Sequence, residues 1–325
     1  MKNKIKVGIV GYGNLGRGVE AALTQNPDFE LQAIFTRRDP QTMKSVPKMV
    51  HISDLLDYKS SIDVMILCGG SAEDLPKQGP LIAAHFNTID SFDNHKKIPE
   101  HFEKMDQISK NSDRLSLISV GWDPGLFSLN RLLAQSILPV GRGYTFWGKG
   151  VSQGHSDAIR RVDGVKKGIQ YTIPDADTLS QIRSFENAKL IPQEMHKRVC
   201  YVVLEKDADP IKVEKDIKNM PNYFAGYDTS VNIISDKEFM DNHSEMPHGG
   251  FVIHTGTTGS GHKQKIEFNL ALDNNPAFTS SVLVAYARAI YRLFKEGKRG
   301  ACTAFDVPIG YLSPKSDEEL RKELL

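Results

Sequence analysis

The sequence is poor in cysteine. Its 325 residues include three, Cys68, Cys200 and Cys302, which lie far apart. An odd number of cysteines without a C-x-x-C pair argues against a disulfide framework and against a cysteine-based zinc site. We therefore expect reduced thiols and a cytoplasmic location.

The sequence also lacks a net charge of either sign and a long apolar run. Lys and Arg total 41, Asp and Glu total 40, and the formal net charge is +1. This balance provides no field that would favour nucleic acid or an anionic membrane as a partner. The basic start is followed only by a short apolar run that breaks at Gly11, so we predict neither a signal peptide nor a membrane span. The length is typical of about two domains.

A glycine motif near the start of the chain is the most informative pattern present. Residues 11–16 fit G-x-G-x-x-G, follow the apolar run of residues 5–10 and open a helical stretch. Gly11 permits the tight turn, Gly13 lets a pyrophosphate approach the backbone, and Gly16 lets helix and strand pack closely. The motif predicts that a dinucleotide binds at the helix N-terminus, with contacts from Gly11, Tyr12, Gly13, Asn14, Leu15 and Gly16.

The residues after the second predicted strand indicate which dinucleotide binds. Residues 30–35 form this strand, which should end beside the adenosine ribose, where NAD enzymes place an Asp or Glu. Thr36, Arg37 and Arg38 follow it here. Two guanidiniums suit a 2′-phosphate, so the predicted cofactor is NADP(H).

Residues 1–121 alternate strand-like and helix-like patterns. Short apolar runs at 7–10, 31–35, 64–68, 87–89 and 115–120 predict an α/β fold with a Rossmann-type doubly wound parallel sheet. Ligands of such sheets bind beyond the carboxyl ends of the strands. Gly69, Gly70 and Ser71 are therefore further candidate cofactor contacts.

The pattern changes after Gly125. Residues 126–138 predict an apolar helix, whereas 200–204, 231–234 and 265–272 read as strands, the last with a period of two, as in antiparallel sheets. Residues 279–295 predict a long helix whose apolar face belongs to the core or to a subunit interface. We predict a dinucleotide-binding domain over residues 1–121, with 298–325 as a candidate to pack back on it. An α+β substrate domain over 122–297 follows.

Two motifs that suggest other chemistry do not hold. The segment of residues 256–261 resembles a phosphate loop, but His262 stands where that loop requires Lys. His243, Glu245 and His248 lack the helical H-E-x-x-H spacing of a zinc site. We predict neither a kinase nor a metal site.

Two aspartates follow successive predicted strands. Asp93 and Asp123 could approach the nicotinamide together, although turn and helix-cap aspartates occur at such positions without any chemical role. If both flank the nicotinamide, the natural substrate is an amine. A carboxylate can accept the proton that an ammonium group loses before its carbon releases hydride, or stabilise the developing iminium.

A second set of polar residues lies in the substrate domain. Thr172, Arg198 and His248 could bind a carboxylate, with Arg198 as a bidentate fork. Taken singly, each residue is more often a strand Thr, a surface Arg or a loop His without such a role. The residues alone therefore indicate an NADP-dependent dehydrogenase of a small polar substrate and leave that substrate open.

Seven short segments are more specific. They read Gly-Tyr-Gly-Asn-Leu-Gly-Arg (11–17), Asp-Asn-His (93–95), Gly-Trp-Asp-Pro-Gly (121–125), Phe-Trp-Gly (146–148), Ser-Gln-Gly-His-Ser-Asp (152–157), His-Lys-Arg (196–198) and Met-Pro-His-Gly-Gly (246–250). Together they resemble the meso-diaminopimelate dehydrogenase family over nearly the whole chain. The run of residues 146–161 is far more specific than the glycine motif.

The resemblance implies an NADP-dependent, reversible oxidative deamination of the D-centre of meso-2,6-diaminopimelate. The products are L-2-amino-6-oxopimelate, which cyclises to tetrahydrodipicolinate, and ammonia. The resemblance also implies a homodimer, in which the second domain serves dimerisation as well as substrate binding. By similarity, Asp93 and Asp123 are the proton acceptor and the positioning group at the D-centre amine, in an order left open. The distal L-centre is assigned to Thr172, Arg198, His248 and Asn274, and the pocket lining to Trp122, Phe146, Gln153 and Gly154.

Two alternatives remain at this point. One is another NADPH-linked two-domain oxidoreductase, such as a dihydrodipicolinate-reductase-like imine reductase, whose NADPH oxidation would not depend on ammonia. The other is a non-catalytic NADPH-sensing regulator. Both stay open because fold alone does not fix function. The aspartates and the distal polar residues argue against a regulator.

Overall fold

The computed structural model describes residues 4–43, 48–186 and 188–325. Its strands are β1 (Ile5–Val10), β2 (Phe29–Thr36), β3 (Met49–His51), β4 (Val64–Leu67), β5 (Thr88–Asp90), β6 (Leu115–Leu117), β7 (Gly141–Trp147), β8 (Gly150–Val151), β9 (Val165–Pro174), β10 (His196–Leu204), β11 (Thr229–Ile233), β12 (His248–Thr257), β13 (Lys263–Leu272) and β14 (Gly300–Cys302).

The described residues also form helices. They are α1 (Asn14–Thr24), α2 (Asp74–Ala83), α3 (Ile98–Asn111), α4 (Leu126–Ile137), α5 (Gln153–Arg160), α6 (Ala176–Arg183), α7 (Pro192–Met195), α8 (Pro210–Lys218), α9 (Asp236–Asn242), α10 (Asn275–Lys295) and α11 (Asp317–Leu324). The chain divides into two compact units, which are unit 1 (Met1–Leu129 with Pro276–Leu325) and unit 2 (Asn130–Asn275). No helix in the described ranges is long and apolar enough to cross a membrane.

Unit 1 contains a parallel sheet of seven strands in the order β14-β6-β5-β4-β1-β2-β3. The central strand β4 is buried along its whole length, as expected when helices cover both faces. The chain runs outwards from β1 in one direction through β2 and β3, and in the other through β4, β5 and β6. This reversal is the topological switch point at which doubly wound sheets bind ligands. The predicted Rossmann-type α/β fold is confirmed.

The long helix α10 belongs to unit 1. Its buried residues Val282, Tyr286 and Ile290 pack in the same apolar cluster as residues of β1 and β4. A Cβ added to Gly18 of α1 would lie 2.4 Å from the Ser280 Oγ, so α1 and α10 approach closely. The boundaries between the two units lie at 129/130 and 275/276, whereas the sequence predicts domain boundaries at 121/122 and 297/298. The apolar period of residues 279–295 predicts a buried face but does not say which sheet that face covers.

Unit 2 contains two smaller sheets. One has the order β11-β10-β9-β8 and the other the order β13-β12-β7. All pairs are antiparallel except β10–β11, which is parallel. In β13, Ile266, Phe268 and Leu270 are partly buried while the residues between them are exposed, which is the alternation that the sequence predicts. The predicted antiparallel sheet is thus confirmed, with one parallel pair added.

Candidate active site

The glycine turn of unit 1 joins β1 to α1. Gly11 has a φ of +92°, a backbone conformation that favours glycine, and its N–H donates to the Phe35 carbonyl at 2.9 Å. A Cβ added to Gly16 would lie 2.1 Å from the Gly11 carbonyl oxygen. Gly13 caps the helix without a side-chain hydrogen bond, and a Cβ there would meet no described atom within 4 Å. A ligand could therefore approach the backbone at Gly13 closely, as a phosphate site at a helix N-terminus requires.

The side chains of this turn have different roles. Tyr12 is buried in the core, where its hydroxyl donates to Glu20, and burial with this bond raises the pKa of Tyr12 to about 12. Leu15 packs against the same core cluster. The side-chain oxygen of Asn14 accepts a hydrogen bond from Arg17 at 2.9 Å. Tyr12 and Leu15 can therefore contribute to a nucleotide site through their backbone only.

Two cations lie beside the turn, at the end of β2. Arg38 donates to the Tyr12 carbonyl at 2.8 Å, and its backbone N–H donates to the Thr36 hydroxyl at 3.1 Å. The Arg37 side chain is 67% exposed and forms an ion pair with Asp74 at 2.9 Å. The turn and the end of β2 thus present two guanidiniums where a 2′-phosphate would be expected.

The loop after β4 links these residues to the first aspartate. The Gly70 N–H donates to Asp74 at 3.1 Å, and a Cβ on Gly69 would lie 2.6 Å from the Asp74 Cβ. The Ser71 hydroxyl accepts a hydrogen bond from the Asp93 N–H at 3.1 Å. Asp93 itself is exposed. The predicted cofactor loop and the loop of Asp93 are therefore in direct contact.

The second aspartate lies in a tight turn after β6. Asp123 is half-buried, and its neighbour Trp122 packs edge-on against Phe127 with the ring centroids 5.2 Å apart. Gly125 has a φ of +125°, and a Cβ there would lie 2.0 Å from the Gly121 carbonyl oxygen. The turn that carries Asp123 therefore requires glycine at its end.

One residue that organises both loops escaped the sequence analysis. Asp90, 1% exposed at the end of β5, accepts hydrogen bonds from the Phe92 N–H at 3.0 Å and the Ser119 N–H at 2.9 Å. Its other oxygen lies 2.9 Å from the His101 Nε2. Asp90 thereby fixes the start of the loop with Asp93 and the approach to the turn with Asp123. A carboxylate directly after the apolar run of residues 87–89 was the available signal.

Unit 2 contains a buried cation. Arg198 of β10 is the register partner of Thr172 of β9, and its Nη1 donates to the Thr172 hydroxyl. Its guanidinium lies 4.3 Å from the centre of the Tyr227 ring. Arg198 is 8% exposed, burial lowers its pKa, and among the described residues its Nε has no hydrogen-bond partner. A buried guanidinium without a carboxylate is costly unless a ligand supplies the anion.

Strand pairing brings the other predicted distal residues to the same region. Gly150 pairs with Thr172, and a Cβ on Gly150 would lie 2.5 Å from the His248 ring. His248 pairs in turn with Leu272, two residues before Asn274. Strand pairing therefore brings Thr172, Arg198 and His248 together in unit 2, and Asn274 follows the strand that pairs with His248.

The predicted lining residues of unit 2 differ from one another in exposure. Phe146 is fully buried in an apolar cluster with Ile182 and Met195. Gln153 and Gly154 open helix α5 and are exposed, and Gln153 contacts the Met246 sulfur at 3.6 Å. A surface cavity of about 450 Å³ near Arg142 and Lys189 includes none of the predicted site residues.

Histidines of unit 2 pack among aromatic rings. His243 stacks on Tyr201 with ring centroids 4.1 Å apart and lies 3.0 Å from the Tyr171 hydroxyl. Within the described residues, no group of three or more His, Cys, Asp and Glu side chains could hold a metal ion.

Comparison with known proteins gives full-length similarities. A family model described as the diaminopimelic acid dehydrogenase C-terminal domain matches residues 121–274. The meso-diaminopimelate D-dehydrogenase of Ureibacillus thermosphaericus is 63% identical over 325 residues, covering 99% of this chain and 100% of that protein. The C. glutamicum DAP dehydrogenase in complex with DAP is 43% identical with a TM-score of 0.93, and each chain covers 100% of the other. An engineered D-amino acid dehydrogenase bound to NADP⁺ is 41% identical with a TM-score of 0.88, over 99% of this chain and 100% of that one.

Proposed function

This chain belongs to the meso-diaminopimelate D-dehydrogenase family, and we propose that it deaminates the D-centre of meso-2,6-diaminopimelate oxidatively and reversibly. The products are L-2-amino-6-oxopimelate, which cyclises to tetrahydrodipicolinate, and ammonia. In the reductive direction the reaction serves lysine and diaminopimelate biosynthesis. The chain resembles dehydrogenases over its full length, so the two alternatives, an imine reductase and a regulator, are not favoured.

The cofactor of this reaction is NADP(H). The open N-terminus of α1 at Gly13 suits the pyrophosphate, and Arg37 and Arg38 suit the 2′-phosphate. An engineered relative binds NADP⁺, which supports the same assignment. When bound, NADP⁺ supplies the acceptor for the hydride.

Asp93 and Asp123 act on the D-centre amine. This amine is an ammonium at neutral pH, and its carbon releases hydride only after one N–H proton has left. One aspartate accepts that proton, and the other, which stays ionised, orients the amine and stabilises the iminium that forms as the C–H bond breaks. Water then adds to the C=N bond and ammonia leaves. The net change consumes one water and releases NADPH, an ammonium ion and one proton.

The distal amino-acid group is held by unit 2. The observation that carries this assignment is the buried guanidinium of Arg198, whose Nε has no partner among the described residues. Strand pairing supports the same role for Thr172 and His248, and Asn274 follows β13, which pairs with His248. Diaminopimelate carries an amino-acid group at each end, so contacts with the distal group decide which centre reacts. The lining roles of Trp122, Phe146, Gln153 and Gly154 and the homodimer belong to the same proposal.

The reaction is tested by following NADP⁺ and NAD⁺ reduction with meso-, LL- and DD-diaminopimelate separately. We expect activity with the meso isomer, none with the LL isomer, and a preference for NADP⁺. NADPH oxidation by tetrahydrodipicolinate should require ammonia, and oxidation without ammonia would favour an imine reductase. Inactivity with every isomer would favour the regulator. Light scattering of the pure protein tests the dimer.

A further inference from the structure

The hydroxyl of Thr172 receives hydrogen bonds from two side chains of unit 2. Arg198 Nη1 donates the first. The second comes from the Gln170 amide nitrogen, which lies 3.3 Å from the Thr172 oxygen. Gln170 precedes Thr172 by two residues on β9, so both side chains lie on the same face of the sheet.

These two bonds determine what Thr172 can still do. A hydroxyl has two acceptor lone pairs and one hydrogen. Guanidinium and amide N–H groups only donate, so Arg198 and Gln170 together fill both acceptor positions of Thr172. The remaining capacity of Thr172 is its hydrogen, which it can give to a carboxylate oxygen but not to an ammonium.

Gln170 is held in place by its surroundings. It is 0% exposed, and its backbone N–H donates to the Ser156 hydroxyl at 3.0 Å. Its side-chain oxygen has no partner in the part of the chain that the structure describes. Gln170 thus contacts Thr172 through its amide N–H rather than through its amide oxygen.

We propose that Gln170 is a positioning residue which makes Thr172 a hydrogen-bond donor and so selects a carboxylate in the distal subsite. The inference rests on the proposed function, in which Thr172 and Arg198 hold the distal group of the substrate. Gln170 acts only through Thr172, because its own side chain is fully buried.

The test is the near-isosteric variant Gln170→Glu. Its carboxylate accepts the Thr172 hydrogen and turns the hydroxyl away from the ligand, and it also gives the nearby Arg198 guanidinium an anion in place of the ligand. A hydrogen bond to a charged group is then lost, so KM for meso-diaminopimelate should rise about tenfold or more. A contact made equally in the ground and transition states changes KM and not kcat. We therefore expect kcat and KM for NADP⁺ to stay within about twofold.

A second variant separates hydrogen-bond polarity from a general disturbance of the strand. Gln170→Met is similar in length and leaves the Thr172 hydrogen free, but removes one donor to its oxygen. KM for meso-diaminopimelate should rise less, by about threefold, a loss near that of one neutral hydrogen bond. The expected order of KM is therefore Gln170→Glu above Gln170→Met above the wild type. Gln170→Met also keeps the inference testable if Gln170→Glu does not fold.

The matched control is Tyr171→Phe. Tyr171 lies between Gln170 and Thr172 in sequence but points to the opposite face, where its hydroxyl lies 3.0 Å from His243. Loss of this hydroxyl should lower the melting temperature and leave KM for meso-diaminopimelate unchanged. An equal rise of KM in Tyr171→Phe, or an unchanged KM in the uncharged variant Gln170→Met, overturns the inference. A wild type that does not turn over meso-diaminopimelate rejects the proposed function itself.

Discussion

At the scale of single residues, the candidate binding chemistry lies in three arginines with different surroundings. Arg198 is buried beside Thr172 and Tyr227. Arg37 and Arg38 lie in the open, one on Asp74 and one on a backbone carbonyl. The sequence identifies these arginines as candidates because of the residue types involved. It does not reveal that one is buried and two are exposed, since burial depends on strands that pair across long separations.

Replacing the buried arginine tests the distal contact. Arg198→Met should lower kcat/KM for meso-diaminopimelate about a hundredfold or more, because a desolvated charge contact is lost. Turnover of a simple D-amino acid, which has no distal group, should fall much less. Arg183→Met, at the partly exposed ion pair with Glu267, is the matched control and should change neither activity. Equal losses on both substrates would contradict the distal role.

Replacing the exposed pair tests the cofactor assignment. Arg37→Gln combined with Arg38→Gln should raise KM for NADP⁺ about tenfold or more, because two charge-assisted hydrogen bonds to a phosphate are removed. KM for NAD⁺, which lacks the 2′-phosphate, should change little. Steady-state rates at saturating substrate give both constants. If the two cofactors were affected alike, the arginines would not read the 2′-phosphate.

At the scale of elements, the sequence predicts those features that depend only on residues close together in the chain. The turn between β1 and α1 requires glycine at Gly11 and Gly16 for reasons contained within six residues. The period of two in β13 is likewise local. The pairing of Thr172 with Arg198, and of Gly150 with Thr172, is not, because register between distant strands is set by the whole sheet. The fold class was therefore predictable, whereas the contacts within the distal cluster were not.

The role of Asp90 can be tested at this scale, because it connects two loops rather than contacting a ligand. Asp90→Asn places an amide against His101 and weakens the bonds to Phe92 and Ser119. We expect kcat to fall about tenfold, since misplacing reacting groups by an ångström costs up to about a hundredfold. KM for NADP⁺ should not change.

A control two residues earlier on β5 isolates this effect. The Thr88 hydroxyl lies 2.8 Å from that of Ser116, and Thr88 is as buried as Asp90. Thr88→Val removes a buried hydrogen bond between β5 and β6, the strands that precede the two loops, and changes neither loop. It should lower the melting temperature and spare kcat. A similar loss of kcat in both variants would mean that Asp90 only stabilises the sheet.

At the scale of the whole molecule, stability should depend on pH through unit 2. Burial lowers the pKa of His155 and of His196 to about 4. The backbone N–H of Trp147 donates to the His196 Nε2 at 2.9 Å, a bond that a protonated Nε2 cannot accept. Both histidines are therefore neutral in the fold, whereas the pKa of a histidine in the unfolded chain is about 6.5.

The sign of the pH dependence follows from these two values. Stability is complete above about pH 6.5 and is lost as the pH falls towards 4, because the unfolded chain binds protons first. At pH 5 the two histidines together should lower the free energy of unfolding by on the order of 2 kcal/mol, allowing for partial exposure. Thermal unfolding at pH 7.5 and 5.0 measures it. His196→Asn should unfold at a lower temperature at pH 7.5 but lose less on acidification, and an unchanged loss would contradict the assignment.

The division of unit 1 into two stretches of sequence has a consequence for synthesis on the ribosome. Unit 2 is one continuous segment inserted between residues 129 and 276. Helix α10 and strand β14, which complete the core and one edge of the parallel sheet, are translated only after all of unit 2. Domains generally fold as they emerge, at about 5–20 residues per second. The nascent chain can therefore complete unit 2 before unit 1, and the parallel sheet of unit 1 is completed last.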